Sequence, residues 1–159
     1  MRILAVDPGY ERLGLAVIEK TTGKETLLFS DCFKTSPKSP HTERLLLIGQ
    51  KIAELVLKYK PQALAIETLF LKNNARTAMK VAEARGAILY EAGHAGLEIH
   101  EYSPLAIKVA VSGYGKSEKD QVTAMVKRLI RIEKMPELDD EFDAIAVGLT
   151  YFASVKSPK

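Results

Sequence analysis

Cysteine is nearly absent from the sequence, which contains only Cys32. A single thiol cannot form a disulfide within the chain, and it cannot supply a zinc site built from cysteines. Disulfide-stapled secreted domains and cysteine-based zinc modules are therefore excluded, and a reducing compartment is indicated. We interpret Cys32 itself as a small residue of a strand.

The sequence also lacks a long hydrophobic run. No apolar stretch approaches the roughly 20 residues that a membrane-spanning helix needs. The N-terminus does not show the basic, apolar and small-residue order of a secretion signal. These absences predict a cytoplasmic protein with no membrane partner.

Internal repeats, low-complexity tracts and domain linkers are missing as well. A chain of 159 residues fits one domain with a sizeable core. We therefore predict a single domain over residues 1–155 and a short disordered tail over residues 156–159. Charge of one sign is not in large excess, and the net charge of +3 permits a polyanionic partner without requiring one.

Hydrophobic periodicity predicts the order βββαβαβ, followed by further helices. The first three strands form an antiparallel meander, and the later strands alternate with helices. This order predicts an α/β fold with a five-stranded mixed sheet flanked by helices. The predicted strands cover 2–6, 14–18, 26–33, 63–66 and 97–102. The predicted helices start near 42, 74, 104 and 140, and a further amphipathic helix follows the loop at 113–115.

Acidic residues stand where two of these strands end. Asp7 follows the first strand, and Glu67 follows the fourth. A carboxylate at the end of a buried strand is costly unless something compensates its charge. Sites in open α/β sheets form at the carboxyl ends of strands. Asp140 and Asp143 lie three residues apart, which places them on one face of the last helix.

A divalent cation would compensate carboxylates that converge from these elements. Magnesium and manganese prefer oxygen ligands, and two such ions about 4 Å apart can act together on a phosphodiester. Pro8 helps to aim Asp7, because the residue before proline is held extended. Gly9 allows a sharp turn and a close approach by a phosphate backbone.

Each acid also has an ordinary interpretation. Asp7 fits a turn, and Glu67 fits a local pair at a strand end. Asp139 and Asp140 fit a helix N-cap, with Asp139 as the cap and Glu141 as first-turn charge in our interpretation. The combination of two strand ends and one helical face is what favours a shared site.

Four segments of the chain resemble, in order and spacing, the signature blocks of a known family. They are MRILAVDPGYERLGLAVIE, AIETLFLKNNARTAMKVAEARGAIL, VSGYGKSEKDQV and DDEFDAIAVGL. The family that they resemble is RuvC, the bacterial Holliday junction resolvases, which have a ribonuclease-H-like fold. The resemblance covers nearly the whole chain. A strand that ends in D-x-G also occurs in actin-like ATPases, but the set of four blocks is specific.

The resemblance implies a homodimeric endonuclease that binds four-way DNA junctions in homologous recombination and repair. It implies paired symmetric nicks by two-metal hydrolysis, which leave 5′-phosphate and 3′-hydroxyl ends. Two Mg²⁺ ions per active site are implied, with Mn²⁺ as a substitute, and a RuvA–RuvB branch-migration complex is a further possible partner. The family's acidic ligands fall on Asp7, Glu67, Asp140 and Asp143. Lys108 and Lys119 match family lysines near the scissile phosphate.

The segment after Glu67 and the loop at 113–119 carry the predicted DNA contacts. An aromatic residue such as Phe70 can stack on an unpaired base while neighbouring cations meet phosphates. From the residues alone, Phe70 fits a core position equally well, the cations fit a solvated helix face, and the loop fits an ordinary connection between helices. The resemblance favours DNA. The predicted contacts are Phe70, Lys72, Asn73, Arg76, Lys80, Arg85, Lys108, Lys116 and Lys119.

Small residues form a stripe on the second helix. They are Ala75, Ala78, Ala82 and Gly86. Small side chains let a helix approach a neighbour closely, and that neighbour is either the helix's own sheet or a two-fold partner.

Other functions compete with the leading one. An actin-like nucleotide-binding protein would need a second, duplicated domain, and the chain has no repeat. A non-catalytic junction-binding module would bind junctions without nicking them, and it would not need the acids. Another ribonuclease-H-like nuclease would prefer an RNA–DNA hybrid to a junction.

Overall fold

The computed structural model of this chain has its strands and helices in the predicted order. It describes residues 1–69 and 75–155, so the predicted tail at 156–159 lies outside the described residues. Asp7 is the last residue of the first strand rather than the residue after it. The elements are β1 (Arg2–Asp7), β2 (Arg12–Glu19), β3 (Thr26–Lys34), α1 (His41–Tyr59), β4 (Ala63–Glu67), α2 (Ala75–His94), β5 (Glu98–Tyr102), α3 (Pro104–Ser112), α4 (Lys119–Leu129) and α5 (Asp139–Ser154).

The sheet has the strand order β3-β2-β1-β4-β5. The pairs β1–β2 and β2–β3 are antiparallel, and the pairs β1–β4 and β4–β5 are parallel. The predicted mixed sheet is therefore confirmed. Val6 of β1 stands opposite Ile66 of β4, so Asp7 and Glu67, the last residues of these two strands, end them side by side.

The side chains of β1 alternate between two cores, one on each face of the sheet. Ile3 and Ala5 belong to the core under α3, α4 and α5, whereas Leu4 and Val6 belong to the core under α1 and α2. Because side chains alternate with a period of two along a strand, Asp7 points to the same face as Ile3 and Ala5. That face is the one covered by α5.

The same alternation places Glu67. Ala63 and Ala65 of β4 belong to the core under α5, and Leu64 and Ile66 belong to the opposite core. Glu67 therefore follows the alanines toward α5. The terminal carboxylates of two neighbouring strands therefore lie on the same face of the sheet, the one covered by α5.

The start of α5 corrects one prediction. The N-cap is Leu138, with extended backbone, and Asp139 is the first helical residue, so Asp139 does not cap the helix. The carboxylate of Glu141 accepts hydrogen bonds from the backbone N–H groups of Glu137 at 3.0 Å and Leu138 at 3.1 Å, and from the Ser30 hydroxyl. The buried Glu141 side chain, and not Asp139, therefore holds the backbone at the start of α5.

Two residues of the small-residue stripe of α2, Ala82 and Gly86, do not pack against the sheet of their own chain. The residues that α2 buries in the core are Ala84, Ile88 and Ala92, whereas Ala82 and Gly86 are exposed. In the described part of the chain, no helix combines the length and the apolar character needed to cross a membrane.

Candidate active site

Carboxylates and lysines from five elements line one cleft. Asp7 at the end of β1, Glu67 at the end of β4 and Asp143 on α5 face a cavity of about 340 Å³. Lys108 of α3 and Lys119 of α4 line the same cavity. The structure thus brings together five of the six residues predicted to be catalytic.

The sixth residue, Asp140, lies beside this cleft. Its carbonyl oxygen rests against Gly14 of β2, where an added Cβ would lie 2.2 Å from that oxygen and 3.1 Å from the Cβ of Asp7. No side chain larger than hydrogen fits such an approach. Gly14 therefore lets α5 bring Asp140 next to Asp7. A glycine inside an apolar strand is a known sign of close approach, and sequence analysis did not use it.

Gly9 shapes the turn between β1 and β2. A Cβ at this position would lie 1.7 Å from the carbonyl oxygen of Arg12. A side chain would collide with backbone, so the turn that leads from β1 into β2 requires glycine at position 9. The close approach of a phosphate backbone to Gly9 stays a prediction.

Burial and mutual repulsion perturb the acids in the cleft. The pKa of Asp7 is raised from 3.8 to about 8, first by burial and then by the charges of Glu67, Asp143 and Asp140. The pKa of Glu67 is raised from 4.5 to about 7 by burial and by Asp143. Burial also raises the pKa of Asp143. These carboxyl groups hold protons more readily than in water, because burial and the neighbouring carboxylates disfavour their charged forms.

Asp140 and Asp143 of α5 are each paired with a basic side chain. Lys119 Nζ lies 2.9 Å from the Asp143 carboxylate and 3.5 Å from that of Asp139. Burial lowers the pKa of Lys119, but Asp143 and Asp139 outweigh it, so the pKa lies above its ordinary value. The guanidinium of Arg12 pairs with Asp140. Among the described residues, neither Asp7 nor Glu67 has a basic partner.

The carboxylates fit a hard divalent cation by their chemistry, since all of the donors are oxygen atoms. In residues 1–69 and 75–155, no three acidic, histidine or cysteine side chains stand close enough together to share one ion. An ion shared by three of these carboxylates would require them to draw together, whereas Mg²⁺ can also bind to one or two carboxylates and keep several waters. Asp140 and Asp143 would have to exchange a basic partner for the ion.

Several predicted DNA contacts fall where little is described. Phe70, Lys72 and Asn73 lie outside the described residues. Arg76 lies in the first turn of α2, and its side chain is also outside the description. Their roles stay predictions. Lys116 is exposed in the connection from α3 to α4.

Lys80 and Arg85, both on α2, differ in what they contact. Lys80 is exposed, with Nζ 5.3 Å from the centre of the Tyr10 ring. Arg85 is mostly buried, pairs with Glu101 and donates to the carbonyl oxygen of Glu67 at 3.3 Å. Arg85 therefore fixes the end of β4, a role that sequence analysis missed, and its predicted DNA contact stays a prediction.

The connection from α3 to α4 is held by hydrogen bonds among its own residues and the adjoining helix ends. Gln121 Oε1 accepts a hydrogen bond from the backbone N–H of Glu118 at 3.0 Å, at the start of α4. The hydroxyl of Ser112 bonds that of the buried Ser117 at 2.7 Å. These contacts favour an ordinary helical connection that holds Lys116 and Lys119 at its surface.

The family model of crossover junction endodeoxyribonuclease RuvC matches residues 3–151. The chain belongs to the RuvC family. The RuvC of Moorella thermoacetica is 40% identical over 151 residues, which cover 95% of this chain and 90% of that protein. The RuvC of Halothermothrix orenii is 40% identical over 151 residues, covering 95% and 92%.

Solved structures agree with the RuvC assignment. Thermus thermophilus RuvC in complex with a Holliday junction substrate matches with a TM-score of 0.89 and 33% identity, covering 96% of this chain and 93% of that one. The yeast mitochondrial Holliday junction resolvase matches with a TM-score of 0.71 and 14% identity, covering 96% and 78%, which shows the fold alone. The ribonuclease-H-like fold and the family resemblance are confirmed, and the family is one of metal-dependent nucleases.

Proposed function

We propose that this chain resolves four-way DNA junctions by paired, symmetric nicks in homologous recombination and DNA repair. The observation that carries the proposal is the convergence of Asp7, Glu67 and Asp143 in one cleft with Asp140 beside it. Family membership supports the substrate, since T. thermophilus RuvC was solved with a Holliday junction substrate. Hydrolysis of the phosphodiester would leave 5′-phosphate and 3′-hydroxyl ends.

The carboxylates of Asp7, Glu67, Asp140 and Asp143 would hold the metal. Support comes from the raised pKa values of the buried acids Asp7 and Glu67. Their ionised forms are unfavourable without a nearby positive charge, and a bound cation would supply that charge. We assign two ions per active site, Mg²⁺ with Mn²⁺ as a substitute. Such ions would supply positive charge that stabilises both the attacking and the leaving oxygen of an in-line displacement at phosphorus.

Two lysines of the cleft complete the proposed chemistry. Lys119 is positioned by Asp143 at 2.9 Å, and Lys108 lines the cavity from the opposite helix, α3. An ammonium group fixed beside the scissile phosphate stabilises the negative charge that develops there. Both lysines would touch the DNA, as would Phe70, Lys72, Asn73, Arg76, Lys80, Arg85 and Lys116.

Symmetric nicking requires two copies related by a two-fold axis. An apolar groove of about 590 Å³ runs between α1 and α2 and includes the exposed Gly86. Leu46 and Tyr90 line this groove with 60% and 68% of their surface exposed. We propose that this face contacts the second copy. Docking on a RuvA–RuvB complex and a cytoplasmic location in bacteria belong to the same proposal, which here rests on the family.

The test is cleavage of a labelled synthetic four-way junction in Mg²⁺. Linear duplex and an RNA–DNA hybrid of the same sequence serve as comparison substrates, and EDTA replaces Mg²⁺ in a parallel series. We expect paired nicks in the junction only, with ends that a ligase can join. Preferred cleavage of the hybrid, or cleavage in EDTA, would overturn the proposal.

A further inference from the structure

Arg12 is a basic residue at the site that neither the motif nor the proposed chemistry uses. It is the first residue of β2, and its guanidinium pairs with the carboxylate of Asp140. In the described part of the chain, this is the ion pair that Asp140 makes. Arg12 is thus the basic partner of Asp140, as Lys119 is the basic partner of Asp143.

The backbone of Arg12 is fixed by its neighbours, whereas about half of its side chain is exposed to solvent. The close approach of its carbonyl oxygen to Gly9 sets the turn, and Arg12 is paired across the sheet with Lys34 of β3. Half of the side-chain surface is exposed, 51% against 21% for Asp140. The guanidinium can therefore leave Asp140 for another anion without disturbing the strand.

Cys32 stands opposite Gly14 on β3, and its thiol also contacts the guanidinium of Arg12. A carboxylate is a much stronger partner for a guanidinium than a thiol is. The anion that holds Arg12 at this end of the sheet is therefore Asp140.

An ion bound by Asp140 and a guanidinium on the same carboxylate repel each other. Two like charges about 4 Å apart repel each other more strongly near a protein surface than in bulk water, because the effective dielectric constant is lower there. A DNA phosphate offers the guanidinium an anionic partner of matching geometry. DNA in the cleft would therefore relieve the competition for Asp140.

We propose that Arg12 is a positioning residue that holds Asp140 in the metal-free protein and passes to a DNA phosphate when the junction binds. Release of Asp140 then lets its carboxylate draw toward those of the cleft, so DNA binding and metal binding favour each other. The inference rests on the proposed function, because it takes DNA as the second anion. Linkage requires that the metal tighten DNA binding by the same factor.

The test measures Ca²⁺ binding by titration calorimetry, with the protein alone and with the protein saturated by a four-way junction. Heats of Ca²⁺ binding to DNA alone are subtracted, and gels confirm that the junction stays intact. For the unaltered protein we expect the junction to tighten Ca²⁺ binding about 5-fold or more. For Arg12→Gln we expect tighter binding than the unaltered protein without DNA and a smaller gain with DNA.

Matched variants separate this role from a structural one. Arg131→Gln removes the same charge at a side chain that is 72% exposed and pairs with Glu133, and it should leave both affinities unchanged. Arg12→Lys retains the charge and should bind Ca²⁺ as the unaltered protein does in the absence of DNA. Thermal unfolding is followed for all variants.

Weaker Ca²⁺ binding by Arg12→Gln without DNA would overturn the inference, because Arg12 would then help Asp140 to bind the ion instead of competing with the ion for it. An undiminished gain with DNA would overturn it too. Either result with normal junction cleavage by the unaltered protein leaves the proposed function standing. Failure of the unaltered protein to cleave junctions refutes the function itself.

Discussion

The two faces of the sheet are packed with side chains of different size. On the face under α5, the central strands present four alanines and two larger residues, which are Ala5, Ala16, Ala63 and Ala65 with Ile3 and Ile18. On the face under α1 and α2, they present Leu4, Val6, Leu15, Val17, Leu64 and Ile66. Small side chains let α5 lie close enough for its carboxylates to reach those of β1 and β4. The larger side chains bury more apolar surface, which is the main source of stability.

The largest effect should come from Asp7, where the close-packed face ends in a charge. We expect Asp7→Asn to reduce junction cleavage in Mg²⁺ by about 10³-fold, because the loss of a metal ligand costs several kcal/mol of transition-state stabilisation. Single-turnover cleavage of a labelled junction measures this. Glu133→Gln, which alters an acid that is 75% exposed, is the matched control and should cleave normally. Near-normal cleavage by Asp7→Asn would remove the carboxylates from the mechanism.

The comparison between the two faces can be tested by enlarging a small side chain on one face and by truncating a large side chain on the other. Ala5 lies against α5 at Gly148, so Ala5→Val should push the helix outward and lower cleavage about 10- to 100-fold. Its cost in stability should be about 1–3 kcal/mol. Leu4→Ala on the opposite face should cost about 2–5 kcal/mol of stability. It should leave cleavage near normal at temperatures where the protein is folded.

Urea denaturation and single-turnover cleavage, measured on both variants, decide between the two outcomes. If Leu4→Ala lowers cleavage by folded protein as much as Ala5→Val does, it is wrong that the face under α5 positions the active site while the opposite face mainly supplies stability.

Local sequence patterns predict the strands and the acids at their ends, because a run such as ILAVD is apolar up to the charge. The face of each acid follows from alternation with a period of two. The contacts of Gly14 with Asp140 and of Arg12 with the same residue join positions more than 120 residues apart, and no local pattern encodes them. The N-cap was misplaced because two aspartates follow Leu138, and both are good capping residues.

The pH dependence of stability should also come from the face under α5. The folded protein holds the Asp7 proton up to a pKa of about 8, whereas 3.8 is the ordinary value for the unfolded chain. Between these values the folded state binds more protons, so the free energy of unfolding of the metal-free protein falls as pH rises. Asp7→Asn lacks this group. Its stability relative to the unaltered protein should rise by about 1–3 kcal/mol from pH 5 to pH 8.

Urea denaturation in EDTA at pH 5, 6.5 and 8 measures that difference. Glu67, with a pKa of about 7, contributes in the same direction in both proteins and cancels in first order. Parallel pH profiles of the two proteins would show that Asp7 is ionised in the folded state.

The smallest effect should come from Lys119, which tests whether this face needs a fixed cation for chemistry or only for DNA binding. Lys119→Ala removes the ammonium that lies 2.9 Å from Asp143, and we expect cleavage to fall about 10-fold. Junction affinity, measured by fluorescence anisotropy in EDTA, should change by less than about 2-fold, since one phosphate contact is a small part of the binding. Lys127→Ala on the same helix, where Nζ lies 5.1 Å from the centre of the Phe142 ring, is the control and should alter neither. A loss of affinity as large as the loss of cleavage would make Lys119 a phosphate contact, because a residue that acts on the transition state lowers the rate and leaves ground-state binding intact.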